Sequence, residues 1–137
     1  GSLSFMMQEL SMLKKHNLNI KIFLLNNSGQ SMIRQTQDQW LKSKYIGSSY
    51  SGGLPKINFL EIAKCFDLNT EKLIFQKNLK KRIRNFLLKS SSGLCEVILS
   101  ENHRVIPQVK FGKPNEDPEP LLSRKEFNEN MIIKTIS

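Results

Sequence analysis

The run Ile20-Lys21-Ile22-Phe23-Leu24-Leu25 does most to limit what this chain can fold into. It is short and apolar, carries β-branched and aromatic members, and stops at the turn formers Asn26-Asn27. Those properties predict a buried strand of a parallel sheet. A helical pattern over 29–41 follows the turn, with Ile33, Thr36 and Trp40 along one face. Strand, polar turn and helix in that order define the carboxyl edge of an open α/β sheet, where ligands bind.

The remaining segments extend the pattern. Met6, Leu10 and Leu13 fall three and four apart and predict a helix over 5–15. Residues 48–55 are a loop by composition, and 57–66 are helical, with Phe59, Ile62, Ala63 and Phe66 apolar. A short strand is expected over 72–75, a helix over 78–89 and a clear strand over 94–99. Ser123-Arg124-Lys125-Glu126 has the form of a capping box before a last short helix. The expected fold is α/β: a three-layer, doubly wound, mostly parallel sheet with flanking helices. The first helix has no strand before it, so the first strands of the unit are expected to be missing. Two regions are expected: a partial domain over 1–112 and a tail with a short helix over 113–137, entered through the proline-rich acidic stretch 114–120.

Bulk properties exclude several classes. With 137 residues and a hydrophobic fraction of 39%, the chain suits one domain with one core, and 24% charged residues do not suggest disorder. No apolar run nears the ~18 residues that span a bilayer, and residues 1–13 lack the basic region and cleavage site of a signal peptide. Cys65 and Cys95 form no Cys-x-x-Cys pair, and His16 and His103 are not spaced as metal ligands, so two reduced, mostly buried thiols in a cytoplasmic protein are expected. The net charge of +9 concentrates at Lys77, Lys80, Lys81, Arg82, Arg84 and Lys89, interleaved with Leu79, Ile83, Phe86 and Leu87. That spacing predicts a helix with a buried stripe and a solvated basic face. The alternative, a small basic nucleic-acid-binding domain, would need exposed aromatics among the cations, and the segment lacks them.

The turn Asn26-Asn27-Ser28-Gly29-Gln30-Ser31 is where chemistry can sit. A carboxamide oxygen is a hard, neutral ligand for Mg²⁺, and backbone N–H groups at a helix start stabilise phosphate. Taken alone, the turn is also what an ordinary loop looks like.

Its surroundings narrow the choice. Gly1-Ser2, the spacer 2–25, Asn26-Asn27 and the run Gln30-Ser31-Met32-Ile33-Arg34-Gln35 together resemble the diphosphate-binding domain of thiamine-diphosphate enzymes, which carry Gly-Asp-Gly, a spacer and then Asn-Asn. Gln8-Glu9-Leu10 matches the helix after the triplet, and Asn26-Asn27-x-x-Gln30-x-Met32-Ile33-x-Gln35 is similar to the acetolactate synthase subgroup. The stretch from Pro120 through Phe127 to Ile132 is similar to acetolactate synthase-like proteins associated with surface-sugar biosynthesis. The resemblance covers nearly the whole chain.

By that resemblance the cofactors are thiamine diphosphate and Mg²⁺. Asn27 matches the side-chain metal ligand and the Gly29 carbonyl the next one. Gly1 and Ser2 match the backbone that approaches the diphosphate. Gln30, Ser31 and Met32 match the helix start that touches the diphosphate and the thiazolium. The family's metal-binding aspartate would precede Gly1. The glutamate that activates the aminopyrimidine comes from another domain, usually across a dimer interface, so the implied partners are the pyrimidine-binding domain or a homologous subunit in a homo-oligomer. Met6 stands where many relatives have asparagine. Thr36 replaces a tryptophan of acetolactate synthases, which favours a different substrate.

A charge-assisted interaction of the kind the aspartate would supply is worth about 1.5–3 kcal/mol, roughly tenfold to a hundredfold in affinity. The isolated chain is therefore expected to bind the cofactor weakly or not at all, and to catalyse nothing alone. A split enzyme working in trans with a separate partner is the other arrangement the resemblance allows.

Overall fold

The structure is a computed structural model and describes residues 1–74 and 78–134. Residues Gly1–His103 form one compact unit and Arg104–Ser137 a second.

The first unit is built on three parallel strands, β1 (Lys21–Asn26), β2 (Asn69–Leu73) and β3 (Gly93–Ile98), in the order β1-β3-β2. In register, Leu24 lies beside Glu96 and Glu96 beside Lys72. Strand side chains alternate between faces, so β3 feeds two cores. Leu94 packs with Leu10, Ala63 and Leu68 on the side of α1 (Leu10–Lys15) and α3 (Phe59–Cys65). Cys95 packs with Leu73 and Phe86 on the side of α4 (Leu79–Leu87). Helices on both faces of a parallel sheet make the three layers expected of an α/β fold.

The sheet order corrects one expectation. β1 is an edge strand, with Phe23 at 38% and Leu25 at 63% exposure; β3 takes the buried central place. An apolar run alone does not tell a central strand from an edge one, because both bury at least one face.

Helix bounds also shift. The expected helix over 5–15 is two 3₁₀ turns, Ser2–Phe5 and Met7–Glu9, leading into α1, and Met6 points to solvent. The second expected helix is α2 (Ser31–Trp40). β2 begins at Asn69, earlier than expected. Phe75 of that expected strand and Lys77 of the basic segment lie outside the described residues.

Helix α4 meets the sheet as its pattern predicts at Leu79, Ile83 and Phe86, while Leu87 is half exposed. Lys80, Lys81 and Arg84 face solvent, and Arg82 pairs with Glu71. Asn58 caps α3 by accepting the Glu61 N–H at 3.3 Å. Cys95 is buried as expected, whereas Cys65 is exposed at the end of α3.

The second unit carries α5 (Arg124–Asn130), capped by the Ser123 hydroxyl, which accepts the Glu126 N–H at 3.2 Å. Gln108 and Glu119 exchange both backbone bonds at 2.8 Å, and Arg124 grips Asp117 with two N–H donors. No described helix is long and apolar enough to cross a membrane.

Candidate functional site

The Asn26-Asn27 turn leaves the tip of β1 and reverses into α2. Ser28 takes a positive φ of 58°, a conformation short polar side chains stabilise by local bonding. Here the Asn26 Oδ1 accepts the Ser28 N–H at 3.0 Å. The other end of that carboxamide is also used: Nδ2 donates to Glu96 Oε1 at 2.7 Å, from the neighbouring strand β3. Both ends of the Asn26 carboxamide are therefore engaged within the chain.

Asn27 differs. Its backbone carbonyl accepts from Arg34 Nη2 at 2.7 Å, but among the described residues nothing hydrogen-bonds to its half-buried carboxamide. Gly29 sits against the loop residue Ser48, and a Cβ at position 29 would lie 2.4 Å from the Ser48 carbonyl oxygen. Glycine is required there by this close approach. The Gln30 N–H donates to the same Ser48 oxygen at 2.9 Å.

Helix α2 starts without a side-chain cap. Four N–H groups at a helix start have no partner within the helix, and uncapped they carry partial positive charge. The Ser31 hydroxyl donates to the His103 carbonyl at 2.8 Å and is thereby occupied. Met32 is 57% exposed, so it belongs to the surface and not to the core. Gly1 lies against the Gln30 side chain, its Cβ direction 3.8 Å from Gln30 Cγ. Gly1, Gly29 and Gln30 share the wall of a cavity of about 130 Å³ with Asn26 and Tyr50. Ser2, in the first 3₁₀ turn, Asn27, Ser31 and Met32 are not on that wall.

Three residues that the sequence did not single out support the turn: Arg34, Ser48 and Glu96. Arg34 and Glu96 are 2% and 7% exposed, the two buried charges among the described residues. Glu96 carried a signal in the sequence, as a carboxylate inside the apolar strand 94–99. Thr36 is exposed, with its hydroxyl donating to the Met32 carbonyl at 3.2 Å.

The C-terminal thiamine pyrophosphate-binding domain of thiamine pyrophosphate enzymes matches residues 1–97, most of the chain. The chain belongs to this family. Among curated relatives it is 30% identical to the acetolactate synthase large subunit of Cyanidium caldarium over 117 residues. It is 28% identical to the isozyme 1 large subunit of Escherichia coli K12 and 27% identical to the chloroplastic acetolactate synthase 1 of Zea mays. These alignments cover 84%, 84% and 82% of the chain but only 20%, 20% and 18% of the relatives. The chain thus spans about a fifth of the length of the curated relatives it matches.

As a thiamine pyrophosphate-binding domain, the chain presents residues that suit a diphosphate. An unused carboxamide, a Gly29 carbonyl that accepts no hydrogen bond among the described residues, and an uncapped helix start lie within a few residues of one another. Among the described residues no three His, Cys, Asp or Glu side chains gather to hold a metal. The donor set at this turn is neutral, which suits a cation already carrying phosphate oxygens.

Proposed function

We propose that this chain is the diphosphate-holding half of a thiamine diphosphate/Mg²⁺ site in an acetolactate synthase-like enzyme acting on 2-keto acids. The observation that carries this is the division of labour in the asparagine pair: both ends of the Asn26 carboxamide are bonded within the chain, and among the described residues neither end of the Asn27 carboxamide is. Asn27 Oδ1 and the Gly29 carbonyl would be ligands to Mg²⁺. The backbone of Gly1 and Ser2, with the α2 start at Gln30, Ser31 and Met32, would meet the diphosphate and the thiazolium end. Because the Ser31 hydroxyl is engaged, its part is played by its backbone N–H. Thiamine diphosphate supplies a nucleophilic carbon and an electron sink for bond cleavage next to a carbonyl, as a lyase or transferase requires. The chain's own residues bind and orient.

In this reading the site lies within residues 1–112, with 113–137 as a tail. A carboxylate ligand and a pyrimidine-binding domain come from residues beyond these 137, on a longer chain or a partner, in a homo-oligomer. The isolated chain is not catalytic. Its free thiols suit the reducing cytoplasm. The exposed Thr36 favours a substrate other than that of the named relatives.

The test is suited to weak binding. Mn²⁺ replaces Mg²⁺ and broadens the NMR signals of nuclei near it. With thiamine diphosphate present, broadening centred on Asn27 to Met32 is expected. Diphosphate-dependent broadening centred elsewhere would overturn the assignment.

A further inference from the structure

Both buried charges in the described structure end on one dipeptide. Glu96 accepts from the Asn26 carboxamide at 2.7 Å, and Arg34 donates to the Asn27 carbonyl at 2.7 Å. Neither is explained as half of a good ion pair. Lys72 Nζ stands 3.9 Å from Glu96 and Glu101 stands 3.9 Å from Arg34, both on exposed side chains. The Arg34 Nε is buried with no hydrogen-bond partner among the described residues. Burying a charge costs several kcal/mol, and an apolar residue of similar volume often serves stability as well or better. What an apolar residue cannot do is choose the orientation of an amide.

A carboxylate only accepts hydrogen bonds, whereas a carboxamide has a donor end and an acceptor end. Glu96 therefore turns the Asn26 Nδ2 toward itself and leaves Oδ1 facing the Ser28 N–H, which it accepts at 3.0 Å. That bond holds Ser28 at positive φ. Arg34 fixes the next peptide by its carbonyl, so the backbone of Asn27 is held on both sides while its carboxamide stays free.

We propose that Glu96 and Arg34 are positioning residues: they lock the Asn26-Asn27 turn in the one geometry that presents the Asn27 carboxamide and the Gly29 carbonyl together. This rests on the cofactor assignment for its purpose, but the lock itself is measurable without cofactor.

Amide exchange in the full chain reads the lock directly. In Glu96→Met, which keeps volume but removes the acceptor, the Ser28 N–H exchanges about tenfold faster or more, the ratio one charge-assisted hydrogen bond carries. Amides of β1 and β3 change by less than about twofold, because the opening is local. Arg34→Met speeds exchange at the same turn. Glu96→Gln keeps an acceptor and restores Ser28 to within about threefold of the parent, a neutral bond being weaker than a charged one. In an Asn26→Ala background, Glu96→Met adds less than about twofold at Ser28, since residues acting through one another are not additive.

Equal acceleration of strand and turn amides in Glu96→Met, or an undiminished effect in the Asn26→Ala background, overturns the proposal. Titration with Mg²⁺ and thiamine diphosphate, followed at the Ser31 to Ile33 amides, separates the lock from its purpose. About tenfold weaker binding in Glu96→Met, recovered in Glu96→Gln, supports both. If the change caused by Mg²⁺ and thiamine diphosphate centres on amides away from this turn, the cofactor assignment fails, and the lock is then decided by Ser28 exchange alone.

Discussion

Helices α2 and α4 are of similar length and both mix apolar with polar residues, yet they turn opposite kinds of face inward. Helix α4 buries Phe86 and packs Leu79 and Ile83 against the cluster of Leu73 and Cys95. Helix α2 buries Ser31, Arg34, Gln35 and Gln37, while Ile33 and Trp40 are 47% and 53% exposed. The reason lies in what each helix covers. Under α4 is a strand face whose backbone bonds are already made within the sheet, so apolar packing is all that remains to gain. The bonds of α2 run to loops: it donates to the carbonyls of Asn27, Ile46 and His103, and its Gln37 accepts from the Ser48 hydroxyl. Loop carbonyls lack ladder partners and are costly to bury unpaired. Donors from α2 satisfy them, and its apolar face is left outward.

Substitutions and a pH titration can break or sharpen that contrast. The largest effect is expected at the inner face of α4. Phe86, 1% exposed and edge-on to Phe23 with ring centroids 5.5 Å apart, should cost about 3–5 kcal/mol as Phe86→Ala in denaturant unfolding. A cost below about 1 kcal/mol would mean that α4 is not a core helix at all.

Under α2 the sensitive atom is backbone. Gly29→Ala places a methyl 2.4 Å from the Ser48 oxygen, which must move. A cost of about 1–3 kcal/mol is expected, with disappearance of the Mn²⁺ broadening at the turn. Retention of both would show that the loop is free to yield.

The α4 side also predicts a pH effect. Burial, and then the nearby Glu71 carboxylate, push the Cys95 thiol up to about 11 from an ordinary 9.0, with Arg82 opposing. An unfolded chain loses this proton near 9 and the folded chain only near 11, so Cys95 contributes fully below pH 9 and its contribution falls as pH rises to 11. Melting temperature should decline over that window, and the decline should be shallower in Cys95→Ala. Equal slopes would remove Cys95 as the cause. By contrast the exposed Cys65 should react with a thiol reagent in the native state and Cys95 should not.

The smallest effect belongs to the outer face of α2. Trp40→Gln and Ile33→Gln should each change stability by under about 0.5 kcal/mol, as surface positions do. A larger drop in the chain studied alone would mean that this face is covered by another copy.

Much of this was legible in the residues. Ile20 to Leu25 with Asn26-Asn27 announces a strand and its turn, because short apolar runs ended by turn formers have few other uses. The capping sequence at Ser123 works through neighbours within a few positions, so it reads locally, whereas the need for glycine at position 29 comes from the distant loop residue Ser48. The family resemblance could be carried by the same spacing, and its match over residues 1–97 agrees with it. The residues around the turn were harder. Arg34 looked like one more polar helix position, Ser48 like loop filler and Glu96 like an interruption in a strand.

Local spacing specified which segments are helices, which are strands and where the Asn26-Asn27 turn sits, since hydrogen bonds and side-chain periodicity within an element depend on near neighbours. Which strand is central, which face of α2 turns inward, and why two charges are buried beneath a pair of asparagines came from the assembled fold. Glu96 and Asn26 are seventy positions apart, and a charge is worth burying only where distant residues bring it a partner.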